Sequence, residues 1–524
     1  MARSIATPQR WFFGPWPDLW FGCGLLYVWL FAMQTVAGPE MRRFAPFELA
    51  PFLSILCGMP HYGATLLRVY ARREDRRRYA FFALWATAAM AALFVAGLHI
   101  IWIGSLVVTV YFTWSPWHYS GQNYGIAVLF LRRRGVPIAP TAKRLLYASF
   151  ILSYALVVLA LQGSTPGTLA APGNYVGTVY EYQTLGLPVA WRDALAAIVV
   201  VAYVLTTASA AALLLRVASA RDLAPAALVV GVQSLWFLVP TVAVVWERLA
   251  WIEPLDPTRR AYAFLWVSVG HFLQYLWITT YYTAASESVG GRARYLAKSL
   301  LAGAAVWTLP PLLFAPGLLG RLPYDMGLAL LTAAIVNIHH FVLDGAIWKL
   351  RDGRIASLLL RDQHEPGPQA QVSPGGRRAG PWVAWGVGLA SLLVAIAAAW
   401  EGFAGNRAFD RADFRRAKLT LGRLVWLGQD SPKIRVALAE HAQRFETLEA
   451  ARQQIDRSLA LWPTAAGWAA LGRWYEESGK PEEARQAYQQ ALALAPDDPE
   501  LRATPGRADF SAGGYGSRSE APAP

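Results

Sequence analysis

The sequence predicts an all-α protein: a polytopic helical membrane domain of about eleven transmembrane helices, followed by a small, polar helical module. Three observations predict this. The 524 residues are 55% hydrophobic and 13% aromatic but only 16% charged, a composition foreign to soluble domains. Apolar stretches of the roughly 20 residues needed to span a bilayer recur until Trp400. The net charge of +14 would point to nucleic acid in a soluble chain, but here it comes from arginines and lysines gathered between the apolar stretches. Nucleic acid is therefore not an expected partner.

The spans are expected near 17–37, 48–68, 79–98, 102–131, 143–162, 190–216, 224–246, 262–285, 298–318, 326–349 and 382–400. The fourth is too long for one straight crossing, and Pro116 is expected to kink it. Basic loops recur after every second span: 68–78, 132–144, Arg216 with Arg221, 292–298 and 349–378. With all of these cytoplasmic, the N-terminus is inside and the chain beyond Trp400 is outside, in the periplasm of a host with two membranes. Residues 1–16 lack the apolar core and small-residue site of a cleavable signal, so the first span is itself the insertion signal. Cys23 and Cys57 both fall in apolar segments and imply no disulfide framework.

The membrane domain is expected over 1–362. A Pro-, Gly- and Gln-rich cytoplasmic linker follows at 363–381, then the last span at 382–400, a helical module at 401–500 and a disordered tail at 501–524. Within the module, Trp468, Leu471, Gly472, Tyr475, Ala484, Tyr488, Ala491 and Pro496 resemble the tetratricopeptide repeat pattern. Its small residues let two antiparallel helices approach while its aromatics fill the groove. Leu438, Ala442, Ala451, Ile455 and Pro463 form a degenerate earlier copy, and 409–430 supply one further helix. About three repeats are usually needed for independent stability, so the module is expected to lean on the membrane domain and to offer a docking surface for a protein partner.

Five histidines lie inside apolar segments: His61, His118, His271, His339 and His340. One such histidine alone reads most simply as a hydrogen-bonded packing residue. Five, together with intramembrane Gln122, Gln274, Asn337 and Asp344, read as a functional site, because polar groups in hydrocarbon are costly. Four motifs carry them. Pro60-His61-Tyr62-Gly63 is followed by Thr65 and Arg68 on the histidine's own helix face, and Trp117-His118-Tyr119 by Gln122. His271 has Gln274 and Tyr275 one turn on. Asn337, His340, Asp344 and Trp348 form one stripe, with His339 about 100° away, so His340 is the better-supported ligand and His339 an extra one.

Under the topology above, the four helices all run from outside to inside, and their histidines fall in the middle to inner half of the membrane. Imidazole suits iron, copper and zinc. The expected cofactor is therefore a metal ion, iron first and copper or zinc as alternatives, held by His61, His118, His271, His340 and His339. Asp344 is expected as a ligand or as an acceptor for His340, and Gln122 and Gln274 as partners of ring nitrogens not used by the metal. With Tyr275 they make up the candidate catalytic set. A dry intramembrane site suits a membrane lipid or other lipid-soluble substrate entering between helices. His99 is expected at the outer mouth, and His364 and His441 facing solvent.

At Pro60-His61-Tyr62-Gly63 and Trp117-His118-Tyr119-Ser120-Gly121 the membrane domain resembles the Brp/Blh-type carotene dioxygenases. Tyr62 interrupts that family's Pro-His-Gly motif, Thr65 stands where an aspartate is usual, and His339-His340 are adjacent rather than one turn apart. The resemblance implies an intramembrane histidine-ligated iron and an iron-dependent oxygenase acting on a carotenoid, isoprenoid or other lipidic substrate. No HxxxH pair is present, so a mononuclear centre is expected rather than the di-iron centre of membrane desaturases. Two other classes compete. A transporter or membrane assembly factor would use the external repeats as a partner-docking surface. A lipid-linked glycosyltransferase would need acidic residues in the first external loop, where 37–47 offers only Glu40, beside Arg42 and Arg43.

Overall fold

The computed structural model describes residues 10–37, 49–71, 73–163, 178–246, 260–286, 291–348, 359, 380–411, 413–496 and 498–503. Residues 38–47 of the expected first external loop, nearly all of the expected linker, His364 and the tail beyond 503 lie outside the described residues. Gly380 and Pro381, the last residues of the expected linker, already belong to a helix. Among the described residues the regular elements are all helices and no strand is present; Pro316 and Gly320 form an isolated bridge.

In chain order the elements are α1 (Pro15–Gly22), α2 (Leu25–Ala37), α3 (Met59–Tyr70), α4 (Phe81–His99), α5 (Ile101–Arg133), α6 (Pro140–Gln162), α7 (Val189–Leu215), α8 (Ala220–Ala243), α9 (Arg260–Ser286), α10 (Gly291–Leu313), α11 (Tyr324–Ile347) and α12 (Gly380–Asp410). The repeat region adds α13 (Phe414–Leu424), α14 (Pro432–Phe445), α15 (Leu448–Leu461), α16 (Ala465–Glu477) and α17 (Pro481–Leu494). The fourth expected span is one continuous helix of 33 residues with Pro116 inside it.

Eleven crossing helices were expected. Among the described residues seven helices are long and apolar enough to cross a membrane, or eight if α1 and α2, bent by 63° where they meet, form one broken span. The three that fall short are those near 48–68, 102–131 and 262–285. All three are helical, but they carry His61, His118 and His271 with their polar neighbours, and those residues lower the apolarity of the segment.

The chain divides into two compact units. The first comprises residues 1–311 and 327–403. In it α3, α5, α9 and α11 pack on one another in the interior: α11 meets α3, α4 and α5, and α9 meets α3. The share of buried residues decides which helices are outer. It is 78% in α11 but only 11–44% in the other apolar spans, whose exposed Trp, Leu, Ile and Val side chains suit contact with lipid.

Two glycines set the position of α3. A Cβ built on Gly63 would lie 1.7 Å from the Ser299 carbonyl oxygen, and one on Gly303 would lie 1.7 Å from the Met59 carbonyl oxygen. The backbones of α3 and α10 thus touch, as small residues permit between membrane helices.

The second unit comprises 312–326 and the chain from Ala404 onward. Its helices are capped by Ser431, Thr447 and Thr464, each accepting a hydrogen bond from the backbone N–H three residues on. Ala439, Ile455, Ala470, Leu471 and Ala487 form its inner layer. The Tyr488 ring lies against Gly472, where a Cβ would come within 2.6 Å of it, and its hydroxyl donates to Glu476 at 2.9 Å. Gly428, in the left-handed region at φ 80°, packs on Leu312 and Ala315, so the segment between α10 and α11 is built into this unit. His441, expected to face solvent, is part-buried with Nδ1 3.3 Å from Glu446.

Gly63→Ala and Gly303→Ala are each expected to lower stability by about 3 kcal/mol, the upper end of overpacking costs, because backbone must move. Thermal unfolding of the detergent-purified chain measures this, and an unchanged melting temperature would contradict the close crossing.

Candidate metal centre

Four interior helices each deliver one imidazole to a common point. His61 comes from α3, His118 from α5, His271 from α9 and His340 from α11, and one ring nitrogen of each lies within 4.8 Å of the others. The rings form a closed circuit. Their centroids are 4.4 Å apart for His61–His340, 5.0 Å for His340–His118, 5.0 Å for His118–His271 and 4.9 Å for His271–His61. Aromatic side chains hold each ring: Phe341 stacks on His118 at 4.4 Å, Tyr119 stacks on His271 at 4.0 Å, and Tyr62 and Tyr275 stand edge-on to both His61 and His340.

One helical turn beyond each histidine sits a polar residue: Thr65, Gln122, Tyr275 and Asp344. Three of these meet below the ring circuit. Tyr275 donates to Asp344 Oδ1 at 2.6 Å, and the Thr65 hydroxyl lies 2.5 Å from the Tyr275 hydroxyl and 3.0 Å from Asp344 Oδ1. Thr65 Oγ1 also pairs with His340 Nδ1 at 2.9 Å, and the Trp348 indole donates to the Tyr275 oxygen at 3.1 Å. A tier of histidines followed by a tier of their i+4 neighbours is possible only if α3, α9 and α11 run in the same direction. Gln122 reaches the His271 carbonyl and Gln274, which adds α5 to that parallel set.

The inward-facing nitrogens have almost no protein partners. Both nitrogens of His61, both of His271, and Nε2 of His118 and of His340 are buried without a hydrogen bond among the described residues. An unsatisfied buried polar atom costs about 1–3 kcal/mol, so these six together rival the whole stability of a typical domain. One water has two protons to give and serves at most two of four converging lone pairs. A metal cation serves all four at once, leaving one N–H each on His61 and His271.

Nitrogens ligating one metal sit about 2.1 Å from it and so at most about 4.2 Å from one another. The 4.8 Å spread exceeds this by about half an ångström, a gap that small ring rotations close. Asp344 adds an oxygen: its Oδ2 lies 3.6 Å from His340 Nε2 and 3.9 Å from His118 Nε2. The four imidazoles therefore fit a metal ion, with the carboxylate as a fifth donor within reach.

Two sequence expectations are corrected. Gln122 and Gln274 do not hydrogen-bond ring nitrogens. The Gln122 amide donates to the His271 carbonyl at 3.2 Å and to Gln274 Oε1 at 3.2 Å, and the Gln274 amide lies 3.4 Å from the Gly22 carbonyl. They sit at the height of backbone on neighbouring elements, and tie those elements together. His339 also lies apart: its Nε2 meets Thr87 Oγ1 of α4 at 2.8 Å, a hydroxyl shared with Tyr70 at 2.6 Å. The 100° step between adjacent helical residues turns it away from His340.

The sequence expectation gave no role to Thr65, although its i+4 spacing from His61 put it on the right face, nor to Tyr62. The Tyr62 hydroxyl donates to Asn337 Oδ1 at 2.5 Å, so Asn337 orients an aromatic wall rather than facing the centre. Arg68 is engaged elsewhere, with Asp75 at 3.1 Å and the Tyr282 hydroxyl at 3.0 Å.

Comparison with known proteins bears on the second unit alone. A family model for the tetratricopeptide repeat matches residues 465–498, which cover α16 and α17. Repeats of this kind present concave surfaces to other proteins, which supports a protein partner. No curated protein and no solved structure matches the chain, so the Brp/Blh-type resemblance gains no support from them.

Tyr275→Phe removes a hydrogen bond to Asp344 Oδ1 and is expected to cost about 1–3 kcal/mol. Thermal unfolding of the purified chain measures this, and a variant as stable as the parent would show that the phenol does not support the carboxylate.

Proposed function

We propose that this chain is an integral membrane metalloenzyme that holds one metal ion between His61, His118, His271 and His340 and oxidises a lipid-soluble, isoprenoid-like substrate. The observation that carries the reading is the convergence of four imidazoles from four helices with their inward nitrogens unpartnered. Iron is the preferred metal. Structural zinc takes four ligands and catalytic zinc three, whereas four imidazoles beside a carboxylate suit the five or six positions that iron accepts, with copper next. When bound, iron would supply oxygen and one-electron chemistry.

The chain's own residues do the rest. The aromatic walls around the rings keep water out. Asp344 Oδ2 faces the centre and Oδ1 takes the Tyr275 hydrogen bond, so the pair is placed to hold a proton beside the ligating nitrogens. The resemblance to carotene dioxygenases is the reason for choosing an isoprenoid among lipids.

Eleven crossings with a cytoplasmic N-terminus and periplasmic repeats belong to this proposal. Parallel site helices need an odd number of crossings between them, and the described helices supply one (α4), three (α6, α7, α8) and one (α10). That parity counts α3, α5 and α9 as crossings despite their polarity. The joint packing of 312–326 with the repeats also supports the topology, since both segments then lie outside. The repeat module favours a second reading, an assembly factor that docks a partner there.

The test is elemental analysis and a visible spectrum of the detergent-purified chain. About one iron per chain is expected, lost in His118→Ala and His340→Ala but retained in His339→Ala. Metal-free protein from metal-replete cells, with the first two variants as stable as the parent, would overturn the enzyme reading in favour of the assembly role.

A further inference from the structure

We propose that Thr65 is a positioning residue that fixes the tautomer of His340, so that its Nε2 presents a lone pair to the centre. The inference rests on the metal-site reading above and concerns how the chain prepares one ligand. Thr65 Oγ1 touches three groups, the Tyr275 hydroxyl at 2.5 Å, His340 Nδ1 at 2.9 Å and Asp344 Oδ1 at 3.0 Å, but carries one proton. Tyr275 gives its proton to Asp344 Oδ1, and its oxygen already accepts from Trp348.

With the Tyr275 proton on Asp344 Oδ1, the 2.5 Å contact between the two hydroxyl oxygens takes the Thr65 proton, which the second lone pair of the Tyr275 oxygen accepts. Nothing is then left for His340 Nδ1 to accept. It must donate its own hydrogen to the Thr65 oxygen. A neutral imidazole has one such hydrogen, so Nε2 is bare, and Nε2 is the His340 nitrogen that lacks a partner. In the opposite tautomer Nε2 would carry the hydrogen into the centre and could not ligate. Thr65 therefore selects a ligating histidine without touching the metal. Partners of this kind on ligating histidines are worth 10–100-fold in metal affinity.

The experiment uses the full chain in detergent, stripped with a chelator and titrated with Co²⁺ while visible absorption is followed. Thr65→Val is expected to bind Co²⁺ about 10–100-fold more weakly, with altered absorption bands, and Thr65→Ser to restore both. Thr87→Val, which removes the hydroxyl partner of His339, is expected to change neither. Wild-type affinity and spectrum in Thr65→Val, alongside loss of binding in His340→Ala, would overturn this inference while leaving the metal site standing. Weak binding in Thr65→Ser as well would overturn it too, because shape rather than the hydroxyl would then matter. Unchanged binding in His118→Ala and His340→Ala would overturn the metal site itself, and this inference with it.

Discussion

Imidazole nitrogens removed from water need partners, and the protein supplies almost none to the nitrogens that His61, His118, His271 and His340 turn toward one another. Much of the first unit is arranged around that deficit. The α3–α10 crossing at Gly63 and Gly303 sets the depth and tilt of the helix that brings His61. Stacked Phe341 and Tyr119 fix ring planes that would otherwise rotate out toward helix backbone. The Thr65–Tyr275–Asp344 cluster binds three helices at one height, so the rings of those helices stay level. A polar core like this rigidifies the fold when all its members are satisfied and weakens it when they are not.

How much of this can be read from the chain depends on whether the information is local. The i, i+4 spacing of a histidine with a polar neighbour is local, and it separates His340, on the stripe with Asp344, from His339. In the fold the first joins the circuit and the second turns to α4. The pattern of tetratricopeptide positions is local as well. Partners contributed by distant segments are not. Nothing near Gln122 indicates that its amide will meet the His271 carbonyl instead of a ring nitrogen, and nothing near Gly63 names Ser299 as its neighbour. The span count shows the same division. Long apolar runs are plain in composition, whereas α3, α5 and α9 mix apolar surface with site residues and fall short of the apolarity of a membrane span.

The two units divide the work in a way their compositions foretell. Among the described residues seven helices are long and apolar enough to cross a membrane; six offer mostly exposed surfaces, and the seventh, α11, is drawn inside to carry His340. The second unit is built from two helical pairs with small-residue cores, and it recruits residues 312–326 from between α10 and α11 to complete itself. A module short of the usual three repeats thereby gains a further layer from the same chain. A protein bound to the repeats would sit on a scaffold that is covalently continuous, through those residues, with the helix bearing His340.

The polarity of α3, α5 and α9 also bears on how the chain is made. A segment enters the lipid from the translocon according to its own apolarity, and charged or polar residues at its centre oppose that step. On the eleven-crossing topology proposed above, these three segments are the least able to enter alone, and each is followed in the chain by a more apolar helix: α4, α6 and α10. Pairwise entry, with the apolar helix sheltering its polar predecessor, is the route this order favours. The four imidazoles then meet only after α11 has been synthesised, so the centre is assembled late and a truncated chain holds none of it complete.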